Sequence, residues 1–467
     1  MPKHKDMKKI LLVSPSLQQN VQVGERVDSF SLGLAYLHSV INGAGYSIET
    51  VNYNNLPVEV SEKEIEEKIN TINPDFFLVQ ILTMNRVASK RAIALARKLK
   101  PGIPIITGGV HASIYYSQVL DFYGADYVVI GEGERTVLEL LGALSGGLPV
   151  DGIKGIAFKR ERKVVVAPER ELIADLDCLP FPKHELFITP ETRMVGILTS
   201  RGCPFKCSFC CLHAISKRKF RKRSVNNVVD EIEHITRNFP GVTSIQMADD
   251  TFTLDQTRAM DFCLEIIRRK IKIRFLCSAR VKPASVELFE LMERAGFVSI
   301  GFGLETGSDK LLKSIHKNIT REDVIQTFEM LKKRKISIAT YLMVGFPGEN
   351  DDTVAETIDL IKKLQKIRYF EFAGVARLWV YPNTEVYEAM RAGGRIDDSY
   401  WLTDKDVPFF TLEHTEEELE RMVTKITLAC QPWRQWIKRI FSELLHPVRT
   451  ARKVAPRLRK LKRVFFN

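Results

Sequence analysis

Twice along its length the chain alternates short apolar runs with stretches of helical period, which restricts it to folds built on parallel sheets. The first set places strands at 9–14 (KILLVS), 47–53, 75–82, 103–107 and 127–130. Helical segments at 31–42, 64–72, 86–99 and 134–144 fall between and after them. Gly43 and Gly45 stop the first helix, and Gly108-Gly109 break the chain after the fourth strand. Five such units predict an α/β, doubly wound domain over residues 1–146. Ligands of such sheets sit over the carboxyl ends of the strands.

Residues 147–193 read as a connector, with a hairpin in GIAFKRERKVVV and a proline-rich stretch in LDCLPFPKHELF. Residues 194–385 hold the second alternation. Its strands are placed at 194–199, 244–248, 274–278, 298–304, 337–344 and 371–380, with helical segments at 225–238, 256–270, 285–295, 321–334 and 351–366. Six β/α units in a row predict a partial (β/α)6, TIM-like barrel with its chemistry at the strand ends. Residues 386–467 read as a helical C-terminal extension that becomes increasingly basic.

Four of the eight cysteines lie between 203 and 211. No apolar run approaches the ~18 residues of a membrane span, and the first residues carry too short an apolar core for a secretory signal. The chain therefore reads as cytosolic, and clustered cysteines there point to a metal or redox site more than to disulfides. The spacing in Arg201-Gly-Cys203-Pro-Phe-Lys-Cys207-Ser-Phe-Cys210 is C-x3-C-x2-C, directly after the first barrel strand. Three thiolates on one loop can bind three irons of a 4Fe–4S cube and leave the fourth open. A zinc site completed by Cys211 or His213 satisfies the same ligand count. Cys211 lies outside the spacing and reads as a packed thiol.

This loop, in this place, resembles that of the radical S-adenosylmethionine (radical SAM) superfamily. The resemblance implies that Cys203, Cys207 and Cys210 hold the cluster and that its open iron takes the amino and carboxylate groups of SAM. An electron from the cluster would then cleave the sulfonium to a 5′-deoxyadenosyl radical. Phe209 matches the aromatic residue beside the adenine. Asp249 and Asp250 stand where the family often has a Gly-Gly-Glu-like segment that grips the SAM amino group; a helix cap is the alternative reading of that pair. Ser278 and Arg280, after the third strand, suit the SAM carboxylate or ribose, with a structural Arg–carboxylate pair as the alternative. Glu305, in a glycine-rich strand end, is placed to accept from ribose hydroxyls. Gly345, in Gly345-Phe-Pro-Gly-Glu349, matches the adenine-contacting segment. Tyr381-Pro382-Asn383-Thr384 fits the pattern in a structural role.

A doubly wound domain ahead of such a barrel resembles the cobalamin-binding radical SAM enzymes and implies a Rossmann-like fold of cobalamin-binding type. Ser14, Gly108, Gly109, His111, Gly131 and Glu132 then lie in loops around the corrin and its nucleotide tail. None of the nine histidines follows an aspartate by two residues, so the Asp-x-His-x-x-Gly source of an axial imidazole is absent. A cobalt without that ligand is easier to reduce and can take a methyl from SAM. A domain that has lost cobalamin is the alternative.

The formal charge is +12. Residues 446–467 carry eight Lys and Arg with no acid, and residues 217–223 carry six more; subtracting both leaves −2 for the rest. Ahead of the tail, Trp433, Trp436, Ile437, Ile440, Phe441 and Leu444 recur at helical spacing opposite Arg434, Lys438 and Arg439. That pattern suits an anionic membrane surface as well as a helix docked on the barrel. No RNA-binding module accompanies it, which disfavours nucleic acid. The segment 217–223 reads as a place for an acidic substrate or an acidic electron donor.

Together these features predict a cobalamin-dependent methyltransferase acting on an unactivated carbon of a small-molecule or lipid-like substrate. The implied partners are a flavodoxin- or ferredoxin-type electron donor and a peripheral place at the inner membrane face. The rivals are a non-methylating rearrangement, cyclisation or oxidation, and a non-catalytic iron–sulfur scaffold at the membrane.

Overall fold

The computed structural model describes residues 7–17 and 31–431. The amphipathic stretch after Gln431 and the basic tail lie outside the described residues. Both alternations fold as parallel sheets. The first holds β1 (Lys9–Ser14), β2 (Ser47–Asn52), β3 (Phe76–Gln80), β4 (Ile105–Gly108) and β5 (Tyr127–Val129), followed by β6 (Ile156–Arg160) and β7 (Lys163–Val166). Its strand order is β2-β1-β3-β4-β5-β6-β7. β1 pairs in parallel with both β2 and β3 and is buried from Ile10 to Ser14, which is why it reads as an unbroken apolar run.

The connector hairpin does more than link. β6 and β7 add antiparallel to β5, so the sheet has seven strands and continues past residue 146. Glu161 and Arg162 turn the hairpin with φ of 47° and 65°, as a two-residue loop between twisted strands requires. The addition covers the edge β5 would otherwise expose.

The barrel contains β8 (Met194–Ile197), β11 (Ser244–Met247), β12 (Arg274–Ala279), β13 (Phe297–Glu305), β14 (Ser337–Val344) and β15 (Glu371–Arg377); β9 (Ser200–Arg201) and β10 (Arg221–Lys222) form a separate small ladder. The six strands run β15-β14-β13-β12-β11-β8, all parallel, with β8 and β15 as open edges. Their outer faces pack on the helices through Phe262, Phe275, Phe297, Phe302 and Phe328. A helix at Glu416–Cys430, begun by a Thr415/Glu418 capping box, buries Leu419, Ile426 and Cys430 beside β15. The C-terminal region thus belongs to the barrel wall as far as Cys430.

Candidate active site at the strand ends

The cysteine loop leaves the end of β8. β9 and β10 pair antiparallel at its base, with Arg221 opposite Arg201 and Lys222 opposite Ser200, so the loop 202–220 is closed like a noose. Cys203, Cys207 and Cys210 are free and partly exposed. Burial pushes the Cys203 thiol up, and pushes Cys210 up to about 11. A bound iron reverses that cost, because a coordinating thiol is deprotonated outright. Among the described residues no three of His, Cys, Asp and Glu converge on a single ion position. Arg280 fits the anionic character of a thiolate-held cluster. Its guanidinium covers the Phe205 ring at 3.8 Å and places Nη1 3.8 Å from Cys207 Sγ, and its buried Nε has no partner.

The acidic pair after β11 divides its labour. Asp249 is buried and accepts from Thr199 N (2.6 Å), Thr199 Oγ1 (2.5 Å) and Ser200 Oγ (2.6 Å). It ties the end of β8 to β11 and has little capacity left for a ligand. Asp250 faces the cleft described below. Burial, then the Asp249 carboxylate, push Asp250 up to about 6. Neither caps the next helix: Asp255 does, accepting from Arg258 N at 3.1 Å.

Ser278 is half-buried on β12, opposite Gly301 on β13. Glu305 is committed to an ion pair with Lys317 Nζ at 2.5 Å, and the Lys317 carbonyl accepts from Arg280. Arg280, Lys317 and Glu305 therefore form one chain leading away from Cys207. Phe209 packs on Phe346 with ring centroids 5.6 Å apart, so the cysteine loop meets the Gly345 segment. Gly345 has φ of 100°, and a Cβ there would lie 3.0 Å from Leu419 Cδ2; its glycine serves packing as well as any ligand.

Glu349, at the end of that segment, accepts the N–H groups of Gly345 and Phe346. Burial outweighs these donors and raises its carboxyl to about 7. Between about pH 4.5 and 7 the folded chain holds a proton that the unfolded chain has released. Stability is therefore lost as pH rises through that window, by up to roughly 3 kcal/mol. Urea midpoints measured from pH 4.5 to 8 are expected to show that decline in the wild type and a flatter profile in Glu349→Gln.

A cleft of about 400 Å³, partly open to solvent, lies between the two sheets. Leu12, Leu37, Leu78, Ile106, Val129 and Val137 line it from the first domain, and Arg201, Gly202 and Asp250 close it from the barrel. Gly108, Gly109, Gly131 and Glu132 also line it. Gly109 has φ of 102°, and a Cβ there would lie 2.6 Å from the Ile81 carbonyl oxygen. An apolar depth closed by Arg201, Asp250 and Glu132 would suit an amphipathic cofactor of the corrinoid kind.

Ser14 and His111 sit elsewhere. Ser14 is buried, donating to Asn54 Oδ1 (2.7 Å) and Gln80 Oε1 (3.1 Å), and reaches the cleft only through Gln80. His111 is wholly buried among Thr83, Tyr115 and Trp401. Burial, then Arg86, lower its imidazole to about 3, so it stays neutral. His111→Ala is expected to cost about 2–4 kcal/mol in urea unfolding and to leave the absorption bands of bound cob(II)alamin in place. Tyr36, Gln80, Arg201 and Arg221 line the cleft without having been anticipated. Only Arg201 carried a signal, its position two residues before Cys203.

The basic segment 217–223 is largely self-neutralised. Lys217 pairs with Glu169 (3.0 Å), Arg221 with Glu132 (2.8 Å), Lys222 with Asp255 (2.5 Å) and Arg223 with the buried Glu231. Four of its six cations pair within the chain, Arg221 and Arg223 in buried pairs, so the charge of the segment is not all directed outward.

A thiol-rich loop at the top of a partial barrel, facing a doubly wound domain across one cleft, defines a two-cofactor α/β enzyme. The comparisons make this specific. Residues 197–361 match the radical SAM superfamily and residues 26–141 match the B12 binding domain. The barrel thus carries a radical SAM domain and the sheet ahead of it a B12 binding domain, the order expected from the sequence. The chain is an enzyme of radical SAM type, and the cofactors of that domain pair are a 4Fe–4S cluster, SAM and cobalamin.

An uncharacterized methyltransferase of Pyrococcus horikoshii is 29% identical over 425 residues, covering 89% of this chain and 91% of that one. An anaerobic magnesium-protoporphyrin IX monomethyl ester cyclase of Rubrivivax gelatinosus is 29% identical over 343 residues; the match covers 70% of this chain and 61% of the cyclase. The fold resembles that of the radical SAM methyltransferase TsrM from Kitasatospora setae, solved with tryptophan and a SAM analogue. There the TM-score is 0.68 at 21% identity, covering 83% of this chain and 77% of that one. Among the described residues no helix is long and apolar enough to cross a membrane.

Proposed function

We propose that the chain transfers a methyl group from SAM, by way of cobalamin, to an unactivated carbon of a small-molecule substrate. One observation carries this reading: the turns of the B12-binding domain and the base of the cysteine loop line the same cleft. The cofactors supply one-electron cleavage of the SAM sulfonium and a carrier for the methyl group. The chain's own residues bind and orient. Asp250 would present its carboxyl to the amino end of SAM, and Arg280, beside Cys207, would lend its positive charge to the carboxylate end. Phe209, backed by the buried Phe346, would flank the adenine, and the apolar depth of the cleft would exclude water. The matched ranges support a cobalamin domain ahead of a barrel over 194–385, with the first domain's sheet extended through Val166 rather than ending at 146.

The similarity to a cyclase favours a second reading, in which the same cofactors drive ring formation without methylation. Anaerobic protein with measured iron, sulfide and cobalamin, incubated with SAM and a reductant, separates the two. Both S-adenosylhomocysteine and 5′-deoxyadenosine are expected. Finding 5′-deoxyadenosine alone favours the second reading, and finding neither leaves an iron–sulfur scaffold.

The donor of the electron is proposed to be a flavodoxin or ferredoxin. The sequence of the tail supports contact with an anionic membrane and hence a lipid-like substrate. The truncation that tests this ends at Gln431, because cutting at Pro408 would remove the buried Phe410, Leu419 and Ile426. Unchanged partition onto anionic vesicles after that truncation would end the membrane proposal.

A further inference from the structure

Glu132 was expected at the corrin, but its carboxylate is spent elsewhere. It stands between Gly131 and Gly133, in the turn from β5 to the helix Gly133–Ser145. Gly131 takes φ of 82° and donates its N–H to Ser113 Oγ at 3.0 Å, which fixes the turn. One oxygen of Glu132 accepts from Arg201 Nη1 at 3.0 Å, and the other from Arg221 Nη1 at 2.8 Å and the Ile173 N–H at 2.9 Å. Arg201 also reaches Glu134 Oε1 at 2.6 Å and lies over the Tyr36 ring at 5.1 Å. Arg221 also donates to the Ile173 carbonyl at 2.7 Å. The Glu132 and Arg221 side chains are only 8% and 10% exposed.

Arg201 and Arg221 face each other across the β9–β10 ladder, so one carboxylate of the B12-binding domain grips both strands that close the cysteine loop. Cys203 follows Arg201 by two residues. Charge-assisted hydrogen bonds shielded from water are short and stiff, and a shift of the turn is passed to the loop with little slack.

We propose that Glu132 is a positioning residue that clamps the cysteine loop to the B12-binding domain and so sets the separation and orientation of the two cofactor sites. The inference rests on the functional reading above. It gives Glu132 no contact with either cofactor. Methyl transfer needs both sites in register, whereas SAM cleavage alone needs only the cluster, so loosening the clamp uncouples the two.

The test uses full-length holoprotein. A wild type lacking cobalamin or failing to cleave SAM overturns the functional reading before any variant is made. Given a competent wild type, Glu132→Gln is expected to keep its iron, sulfide and cobalamin. Its S-adenosylhomocysteine to 5′-deoxyadenosine ratio is expected to fall on the order of 10–100-fold, the effect of a small misplacement of reacting groups. The electron-spin interaction between cob(II)alamin and the reduced cluster, which reports their distance, is expected to weaken or broaden. In the protein without cofactors, amide exchange over 202–220 is expected to speed up. An unchanged spin interaction in the loaded variant overturns the clamp. So does selective loss of cobalamin, which would return Glu132 to the corrin. If Glu132→Gln does not fold, Arg221→Lys keeps the charge and loses the fork, and it must show the same altered spin interaction.

Discussion

Cys207→Ala is expected to abolish the enzyme while leaving a folded chain. In the proposed site each of the three thiols would hold a different iron, so removing one would leave a cube with two protein ligands. Cys207 has an added role, because its sulfur lies 3.8 Å from Arg280 Nη1. Without the thiolate, the guanidinium loses the anionic neighbour that helps hold it on the Phe205 ring. Iron and sulfide after anaerobic reconstitution should drop sharply. Formation of 5′-deoxyadenosine should fall by about three orders of magnitude or more, equivalent to roughly 4 kcal/mol of lost transition-state stabilisation. The Cys207 side chain is only partly buried, so the urea midpoint should move little. Full SAM cleavage by the variant would remove this loop from the chemistry.

The second large effect comes from a residue with no chemistry of its own. Gly202 has φ of 86°, and a Cβ there would lie 2.3 Å from the Lys219 carbonyl oxygen and 2.9 Å from Ser216 Cβ. The first neighbour is backbone at the far end of the same loop and cannot swing aside. Gly202→Ala must therefore pay for a left-handed conformation and force the two ends of the noose apart. About 3 kcal/mol of destabilisation is expected, read as a lower urea midpoint. Cluster content should fall with it, because Cys203 is the next residue. A variant with normal stability and a full complement of iron would show that the loop tolerates an opening the structure does not allow for.

Much of this site was legible residue by residue. The C-x3-C-x2-C spacing is local, and so is the order of strand ends carrying Ser278, Arg280, Glu305 and Gly345, but that Lys317 occupies Glu305 is not. The paired carboxylates were harder. Asp249 and Asp250 are equivalent as letters, yet one is consumed by Thr199 and Ser200, some fifty residues earlier, and the other opens on the cleft. Glu132 reads as a loop carboxylate near a ligand until Arg221, 89 residues later, is seen to occupy it. Burial opposes its charge, yet Arg221, the Ile173 N–H and Arg201 hold its carboxyl below the usual range. His111 followed a loop glycine pair and was expected beside the corrin; the chain turns it instead into the aromatic packing around Trp401.

By itself the sequence determined the two parallel sheets, their order along the chain and the three thiols that follow the first barrel strand. These depend on the period of apolar residues and on spacing within a single loop, and neither needs a distant partner. Tertiary structure alone decided which polar side chains remain available to a ligand. A buried carboxylate or guanidinium takes whatever donor or acceptor the fold brings within about 3 Å, because leaving it unpaired costs more than any single contact returns. That selection separated Asp250 from Asp249 and made Glu132 a clamp between the domains.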